Sequence, residues 1–177
     1  MLDSLTLPPL PTLHGERVIL RDRRDSDVDD RLRHPIDPEE EDGYGSAWRR
    51  EWDGRRYHTR EYLTAGAAAP DPRSYSWRVE YDGHCIGSAA LDVSPEQHCA
   101  EYSVGLFVAA LRGRGLGREI TRLVLAWAFD ELGAHRVELQ GGSVCWSLGG
   151  DPRAPAFTDS IKSENRILRV WPTIIRN

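Results

Sequence analysis

The segment best suited to chemistry is a glycine-rich loop, Arg112-Gly113-Arg114-Gly115-Leu116-Gly117, which precedes a stretch predicted to be a long helix. Glycine adopts backbone conformations closed to residues with a Cβ, so successive N–H groups can point into one concavity. The first turn of the following helix adds unpaired N–H groups and the positive end of its dipole. This arrangement predicts a diphosphate site. Arg112, Arg114 and Arg118 could hold further phosphate oxygens with their forked guanidinium groups.

Two common phosphate-binding patterns do not fit this loop. The dinucleotide pattern Gly-x-Gly-x-x-Gly, counted from Gly113, requires a third glycine at position 118, which is arginine. A Walker-A loop requires Gly-Lys-Ser/Thr, and the only lysine among the 23 basic residues is Lys162. The sequence therefore excludes a P-loop NTPase. Taken alone, the loop could also be a helix-capping turn with solvated arginines.

Strands and helices are predicted on both sides of the loop. Residues 16–21 alternate between apolar and polar side chains, as a half-buried strand does. Residues 75–81 alternate strictly and lead into Asp82-Gly83, a strong hairpin signal. After the loop, Ile120, Leu123, Val124, Trp127 and Ala128 form one apolar stripe of a helix that is predicted to end at Leu132-Gly133. Further strands are predicted at 85–93, 100–108 and 135–139, and further helices at 26–32, 48–52 and 59–69.

These motifs together resemble the GNAT N-acetyltransferase superfamily, and more narrowly its branch of ribosomal-protein N-terminal acetyltransferases. The resemblance rests on Val104-Gly105-Leu106-Phe107-Val108, the loop, the following helix and the 135–139 strand, and it covers about residues 14–140. It implies an α/β (α+β) fold with a mixed, mostly antiparallel sheet and helices on both faces. It also implies acetyl-CoA as co-substrate, without a metal, and transfer of the acetyl group to a primary amine by direct attack.

The resemblance also assigns roles along the strand and loop. The backbone amides of residues 113–118 would bind the pyrophosphate of the cofactor. The free backbone groups of the preceding strand would pair with the pantetheine arm, and an amide there would polarise the thioester carbonyl. The predicted cofactor-binding residues are Leu106, Phe107, Val108, Arg112, Gly113, Arg114, Gly115, Leu116, Gly117 and Arg118.

The amine must lose a proton before it can attack, since an ammonium has no lone pair, and a carboxylate can accept that proton. Glu101 lies where many members of the family carry such a base, so it is the predicted catalytic residue. Glu80 and Asp92 are weaker candidates on neighbouring strands. A solvated residue at the strand end is the alternative interpretation of Glu101.

An acidic segment, 37–42, is followed closely by Tyr44, Trp48 and Trp52. Members of the family select their acceptor largely with this part of the chain. Acidic groups attract a cationic amine and aromatic rings can stack on it, while a solvated acidic loop beside core aromatics would look the same. The acceptor is predicted to be a protein N-terminus or a small-molecule amine.

The composition changes after Gln140. Residues 158–177 contain the only lysine and both asparagines of the chain, and no tyrosine follows Tyr102. Members of the family have closing strands and a thiolate-protonating tyrosine in this part. Residues 141–177 are therefore expected to be a divergent tail, frameshifted, fused or poorly ordered. Two other functions stay open: an acyl-CoA-binding module without turnover, and a nucleotide-binding protein that uses the same loop.

The composition limits the remaining classes. A net charge of −5 argues against a nucleic-acid binder. Three cysteines without a CxxC pair and scattered histidines argue against a disulfide framework and a zinc site. The apolar stretch 123–129 is too short to cross a bilayer, and the first residues lack the pattern of a secretory signal. A cytoplasmic protein without membrane contact is expected, as a monomer or a homodimer.

Overall fold

The computed structural model describes residues 7–35, 58–65, 71–97, 99–141 and 167–172. Within them the chain forms a seven-stranded sheet whose strand order follows the sequence. The strands are β1 (Leu13–His14), β2 (Val18–Arg21), β3 (Ser74–Tyr81), β4 (His84–Ser94), β5 (Cys99–Leu106), β6 (Arg136–Gly141) and β7 (Ile167–Pro172). The helices are α1 (Ser26–Arg33), α2 (Arg60–Ala65) and α3 (Leu116–Asp130), with short 3₁₀ turns at Pro95–Gln97 and Ala109–Leu111.

The sheet is mixed. β1 to β5 are antiparallel neighbours, whereas β5, β6 and β7 run parallel. The parallel pairing of β5 with β6 requires a crossover connection, and α3 provides it. Helix α3 packs on the face of the sheet that carries Trp77, and α1 packs on the other face, where Asp30 accepts the Cys85 N–H at 2.8 Å. The predicted fold, a mostly antiparallel sheet with helices on both faces, is confirmed.

The main core lies between the sheet and α3. Tyr75, Trp77 and Val79 alternate along β3 and are buried on this face. The Trp127 ring of α3 packs edge-on against both aromatic rings, with centroids 4.7 Å from Tyr75 and 5.5 Å from Trp77. Their polar atoms are also satisfied, because the Tyr75 hydroxyl donates to the Pro8 carbonyl and Trp77 Nε1 donates to the Pro11 carbonyl, both at 2.8 Å. The proline-rich segment before β1 therefore lies against the core.

A buried ion cluster joins α1 to the face of the sheet opposite to α3. The Arg21 side chain is 5% exposed and donates from both Nη atoms to Asp27, at 3.0 and 2.7 Å. Its Nε donates to Glu80, which also accepts from Arg24. Burial alone would raise the pKa of Asp27, but the hydrogen bonds from the Arg21 guanidinium and the Arg24 amide outweigh it and lower that pKa. Asp27 is therefore ionised in the folded protein at neutral pH.

Several element ends differ from the predictions for physical reasons. The strand predicted at 16–21 is β2 and begins two residues later, at Val18, and the short β1 precedes it. Helix α3 ends at Asp130, before the predicted Leu132, because the N–H groups of Leu132 and Ala134 reach back to the Trp127 and Ala128 carbonyls. Within the predicted tail, β7 pairs in parallel with β6. The segment 37–42, the helix at 48–52 and the rest of the tail lie outside the described residues.

Candidate functional site

Two glycines turn the chain from β5 into α3. The 3₁₀ turn ends with the Arg112 N–H donating to the Ala109 carbonyl at 3.0 Å. Gly113 and Gly115 then adopt φ of 73° and 81°, the left-handed region that disfavours residues with a Cβ. No atom lies within 4 Å of the position that a Gly113 Cβ would occupy, so the backbone conformation and not crowding restricts this position to glycine. The glycine-rich sequence is therefore needed for the path of the backbone.

The loop presents a row of backbone donors. The first hydrogen bond of α3 runs from the Glu119 N–H to the Gly115 carbonyl, at 3.2 Å. The N–H groups of residues 113–118 precede that bond, and none has an acceptor among the residues that the structure describes. They lie at the positive end of the α3 dipole. We call these six amides the amide cradle; it has the donor set that a diphosphate needs.

The three arginines beside the loop behave differently. Arg112 turns back from the cradle: its Nε and Nη2 donate to the Leu106 carbonyl at 3.0 and 2.8 Å. Arg114 and Arg118 are exposed, and the described part of the chain holds no ion pair to either guanidinium. The structure thus leaves Arg114 and Arg118 available for phosphate oxygens and shows Arg112 joining the loop to the end of β5.

The last part of β5 has one open edge. β5 pairs with β4 as far as Leu106, but with β6 only over residues 99–102. The Phe107 N–H points to β4 and donates to the Ile86 carbonyl at 3.0 Å. Hydrogen-bonding direction alternates along a strand, so the Leu106 N–H points to the open edge. The backbone of Val108 is still extended, at φ −94° and ψ 93°, so its N–H follows the same alternation. Of the predicted pantetheine-binding residues, these two present N–H groups there, and the amide of Phe107 does not.

An ion pair fixes the start of α3 to the turn before β2. The Glu119 carboxylate accepts the backbone N–H of Arg17 at 2.7 Å and that of Val18 at 3.3 Å. It also binds the Arg17 Nε at 2.8 Å, and the Arg17 Nη1 donates to the Arg114 carbonyl at 2.9 Å. Burial raises the pKa of Glu119, but these donors outweigh it and lower the pKa. Glu119 and Arg17 therefore hold the shape of the cradle.

Replacing Glu119 by glutamine is expected to lower the free energy of unfolding at pH 7 by roughly 1–2 kcal/mol, because charge-assisted bonds become neutral ones. A carboxylate whose folded pKa is lowered stabilises above its unfolded pKa, about 4.3. That stabilisation is lost as the pH falls through the folded pKa. The difference between Glu119→Gln and the parent should therefore shrink below about pH 4. Urea unfolding across pH measures it, with Glu131→Gln, an exposed residue after α3, as the control. A difference independent of pH would contradict the assignment.

A cavity of about 290 Å³ lies on the α1 face of the sheet, beside the open edge of β5. Its floor includes Gly87 of β4 and Gly105 of β5. A Cβ on Gly87 would lie 2.2 Å from the Gly105 carbonyl oxygen, so only glycine permits the two strands to approach this closely. No atom lies within 4 Å of a Cβ position on Gly105. The cavity therefore reaches the β5 backbone, next to the edge where a bound chain could lie.

The predicted base does not line this cavity. Glu101 is exposed and lies with Asp92 and Glu138 in a second depression of about 420 Å³. It shares a face with Gly105 but is four residues away, which is about 13 Å along a strand. Glu80, a weaker candidate, is bound by Arg21 and Arg24. The catalytic role of Glu101 stays a prediction.

Three residues of the site were not predicted from the sequence: Arg23, Arg78 and Glu119. Arg78 lies between Trp77 and Val79 on a strand. Side chains alternate along a strand, so Arg78 was predicted on the face of the sheet opposite to these two apolar residues. That signal was present, although nothing local showed that a cavity lies there. Arg23 and Glu119 depend on residues 40 and about 100 positions away, Leu63 for the first and Arg17 for the second.

Comparison with known proteins identifies the family. The model of the Acetyltransferase (GNAT) family matches residues 34–144, more than half of the chain. The chain belongs to the GNAT acetyltransferase family. GNAT proteins use acetyl-CoA, and the diphosphate of that molecule is the anion that the amide cradle suits. The match includes β3 to β6, the loop and α3, so the predicted resemblance is confirmed.

Solved structures show the same GNAT fold at low sequence identity. The RimJ of Mycobacterium smegmatis in complex with CoA-disulfide has a TM-score of 0.56 at 18% identity, over 73% of this chain and 67% of that one. The acetyltransferase (GNAT family) from Bacillus anthracis has a TM-score of 0.52 at 17% identity, over 72% and 71%. A third structure, described as an acetyltransferase, has a TM-score of 0.53 at 22% identity over 73% of this chain. This chain covers 63% of that protein, which is less than two thirds of its length. No curated protein matches significantly in sequence.

Two structural features that other classes of protein use do not occur in the described ranges. No helix there is both long enough and apolar enough to cross a membrane. In the same ranges, no three His, Cys, Asp or Glu side chains gather as the ligands of a metal ion would.

Proposed function

We propose that this protein is an acetyl-CoA-dependent N-acetyltransferase that acetylates a primary amine bound in the 290 Å³ cavity. The observation that carries the proposal is the amide cradle, six consecutive N–H groups without an acceptor in the described chain, at the start of α3 and next to the open edge of β5. The family match supports the same reaction class.

Each part of the site has a task in such a transfer. The cradle, with Arg114 and Arg118, binds the diphosphate. The open edge of β5 aligns the pantetheine arm, since the N–H groups of Leu106 and Val108 point toward it. The thioester then lies near Gly105, beside the cavity that holds the amine. Holding two reactants in this way contributes most of the acceleration, and a β5 amide aimed at the thioester oxygen adds to it.

The cavity favours direct attack over an acetyl-cysteine intermediate. Cys85 lines the cavity, and its burial, with the nearby charge of Asp27, raises the pKa of its thiol to about 11. A thiol with that pKa is protonated at neutral pH and is a poor nucleophile. The departing thiolate has an ordinary pKa of about 8.5, so it can leave without a dedicated acid. The absence of a tyrosine after Tyr102 is therefore compatible with turnover.

A second candidate function is an acyl-CoA-binding module without turnover. The observation that favours it is the separation of Glu101 from Gly105, where the proposed function places the thioester: four residues, about 13 Å along β5. Asp27 is the carboxylate that the described cavity lining contains, and it is held by Arg21. Binding of acetyl-CoA without release of CoA thiol in the presence of any amine would favour this second function.

Acetyl-CoA at about 100 times its dissociation constant is expected to stabilise the protein by about 2.7 kcal/mol, which raises Tm by roughly 5–10 °C. S-Acetylpantetheine, which lacks the diphosphate, is expected to raise it much less. ATP serves as the control for a nucleotide-binding protein. Thermal unfolding measures the binding of each ligand. Release of thiol from acetyl-CoA, in the presence of each amine of a panel, measures acetyl transfer. Equal stabilisation by ATP and acetyl-CoA, or none by acetyl-CoA, would contradict the proposal.

A further inference from the structure

The charges around the cavity are mainly positive. Arg23, Arg31 and Arg78 line it, and Asp27 is the carboxylate in its described lining. Asp27 is already neutralised by two hydrogen bonds from Arg21, a residue outside the lining. The cavity therefore has an excess of cationic groups, although the chain as a whole has a net charge of −5.

Two of these arginines have donors to spare. The Arg23 Nη2 donates to the Leu63 carbonyl, but its Nη1 is enclosed and has no acceptor among the described residues. Arg78 is half-buried, and no hydrogen bond or ion pair to its guanidinium occurs in the described ranges. Arg31 differs, since it lies over the Phe107 ring at 4.9 Å and donates to the His34 carbonyl at 3.4 Å. An enclosed guanidinium N–H without an acceptor costs free energy, and an anionic ligand would remove that cost.

We propose that the cavity selects acceptor amines that carry a carboxylate, which Arg23 and Arg78 bind while the amine lies toward Gly105. The inference rests on the proposed function, because it names the acceptor of that reaction. The carboxylate can belong to a small amino acid or to an acidic side chain near the N-terminus of a peptide. Both sources present the same group within a few bonds of the amine.

The cationic lining also acts on the amine itself. Positive charges nearby disfavour the ammonium form, so they help to provide the neutral amine that attacks. A polycation would meet the three guanidinium groups, and the carboxylate of the described lining, Asp27, is already bound by Arg21, so the cavity disfavours a polycation. An α-amine, with an ordinary pKa of about 7.7–8.0, needs less help from a base than a lysine-type amine at about 10.4.

The test compares acceptors that differ only in the carboxylate. β-Alanine is paired with β-alaninamide for the small-molecule source, and the peptide Asp-Ala-Ala-amide with Asn-Ala-Ala-amide for the peptide source. Putrescine represents the dication. The carboxylate member of at least one pair is expected to have a kcat/KM about 10- to 100-fold higher than its partner, the range that charge-assisted bonds provide. The pair that shows the preference identifies the source.

Substitutions of the two arginines test whether they cause the preference for a carboxylate. Arg78→Gln and, separately, Arg23→Gln are expected to bring the ratio within a pair close to one, and Arg78→Lys to restore part of it. The KM for acetyl-CoA should not change. Arg122→Gln, on the exposed side of α3, is the matched control and should keep the full ratio. Thermal unfolding confirms that each variant is folded. A ratio unchanged in both glutamine variants, or a raised KM for acetyl-CoA instead of a lost ratio, would overturn the proposal.

Failure of the inference is distinguishable from failure of the proposed function. Equal or faster turnover of the amide partners or of putrescine overturns the carboxylate preference and leaves the acetyltransferase intact. If no amine is turned over, calorimetric binding of the two peptides to the protein with CoA decides the matter. Tighter binding of the aspartate peptide, lost in Arg78→Gln, supports the carboxylate site, and equal binding overturns it.

Discussion

Gly113→Asp is expected to bind acetyl-CoA about 10- to 100-fold more weakly than Gly113→Asn. The two side chains have the same shape, and both tolerate the left-handed conformation that Gly113 adopts at φ 73°. Both have room, since nothing lies within 4 Å of the Cβ position. The variants therefore differ in one negative charge beside the amide cradle.

That charge repels a bound diphosphate and competes for the same N–H groups. A unit charge about 5 Å from a phosphate charge contributes about 1–3 kcal/mol at effective dielectric constants between 80 and 20. Isothermal titration with acetyl-CoA at low and high salt measures the difference, which should decrease as salt screens it. Equal affinities of the two variants would show that the diphosphate binds elsewhere and would remove the basis of the proposed function.

Asp27→Ala is expected to lower the free energy of unfolding by about 3–5 kcal/mol at pH 7, since it leaves the buried Arg21 guanidinium without its main partner. The lowered pKa of Asp27 fixes the pH dependence. Its stabilisation is present above the unfolded pKa of about 3.9 and is lost as the pH falls through the folded pKa. The difference from the parent protein should be constant above about pH 5 and shrink below it.

A neighbour on the same helix provides the control. Asp29 pairs with Arg60, but about half of its side chain is exposed and solvent screens the pair, so Asp29→Ala should cost far less than Asp27→Ala. Asp27→Asn keeps an acceptor for Arg21 and should fall between the two alanine variants, which keeps the test readable if Asp27→Ala does not fold. Urea unfolding gives the values. Similar losses for Asp27→Ala and Asp29→Ala would show that the buried ion cluster does not stabilise α1 against the sheet.

Local signals predicted the elements that position the site. The hairpin at Asp82-Gly83 and the alternation along residues 75–81 depend on neighbours in sequence, and both are present in the structure. The glycines of the loop are informative for the same reason, since a positive φ is a property of one residue. Element ends were less accurate, because they depend on hydrogen bonds such as that from Ala134 to Ala128.

Contacts between distant segments could not be predicted in this way. Glu119 was one of several charged residues on an amphipathic helix, and its bonds to Arg17 appear only when the turn before β2 lies against α3. Arg112 looked like a phosphate ligand because it adjoins the loop, yet its side chain reaches the Leu106 carbonyl. The described lining of the cavity with Arg23 and Arg78 comes from four separate parts of the chain, so periodicity within one part does not predict the cavity.

The glycine floor of the cavity has an evolutionary consequence. The cavity reaches the β5 backbone because Gly87 and Gly105 lack side-chain atoms, and a Cβ on Gly87 would lie 2.2 Å from the Gly105 carbonyl oxygen and displace it. One nucleotide change in a glycine codon produces alanine, so a single mutation can close this space. Reopening it requires reversion at the same codon, since trimming any neighbouring side chain does not move a backbone carbonyl. A lineage that loses Gly87 while other substitutions accumulate would therefore find the original cavity hard to regain.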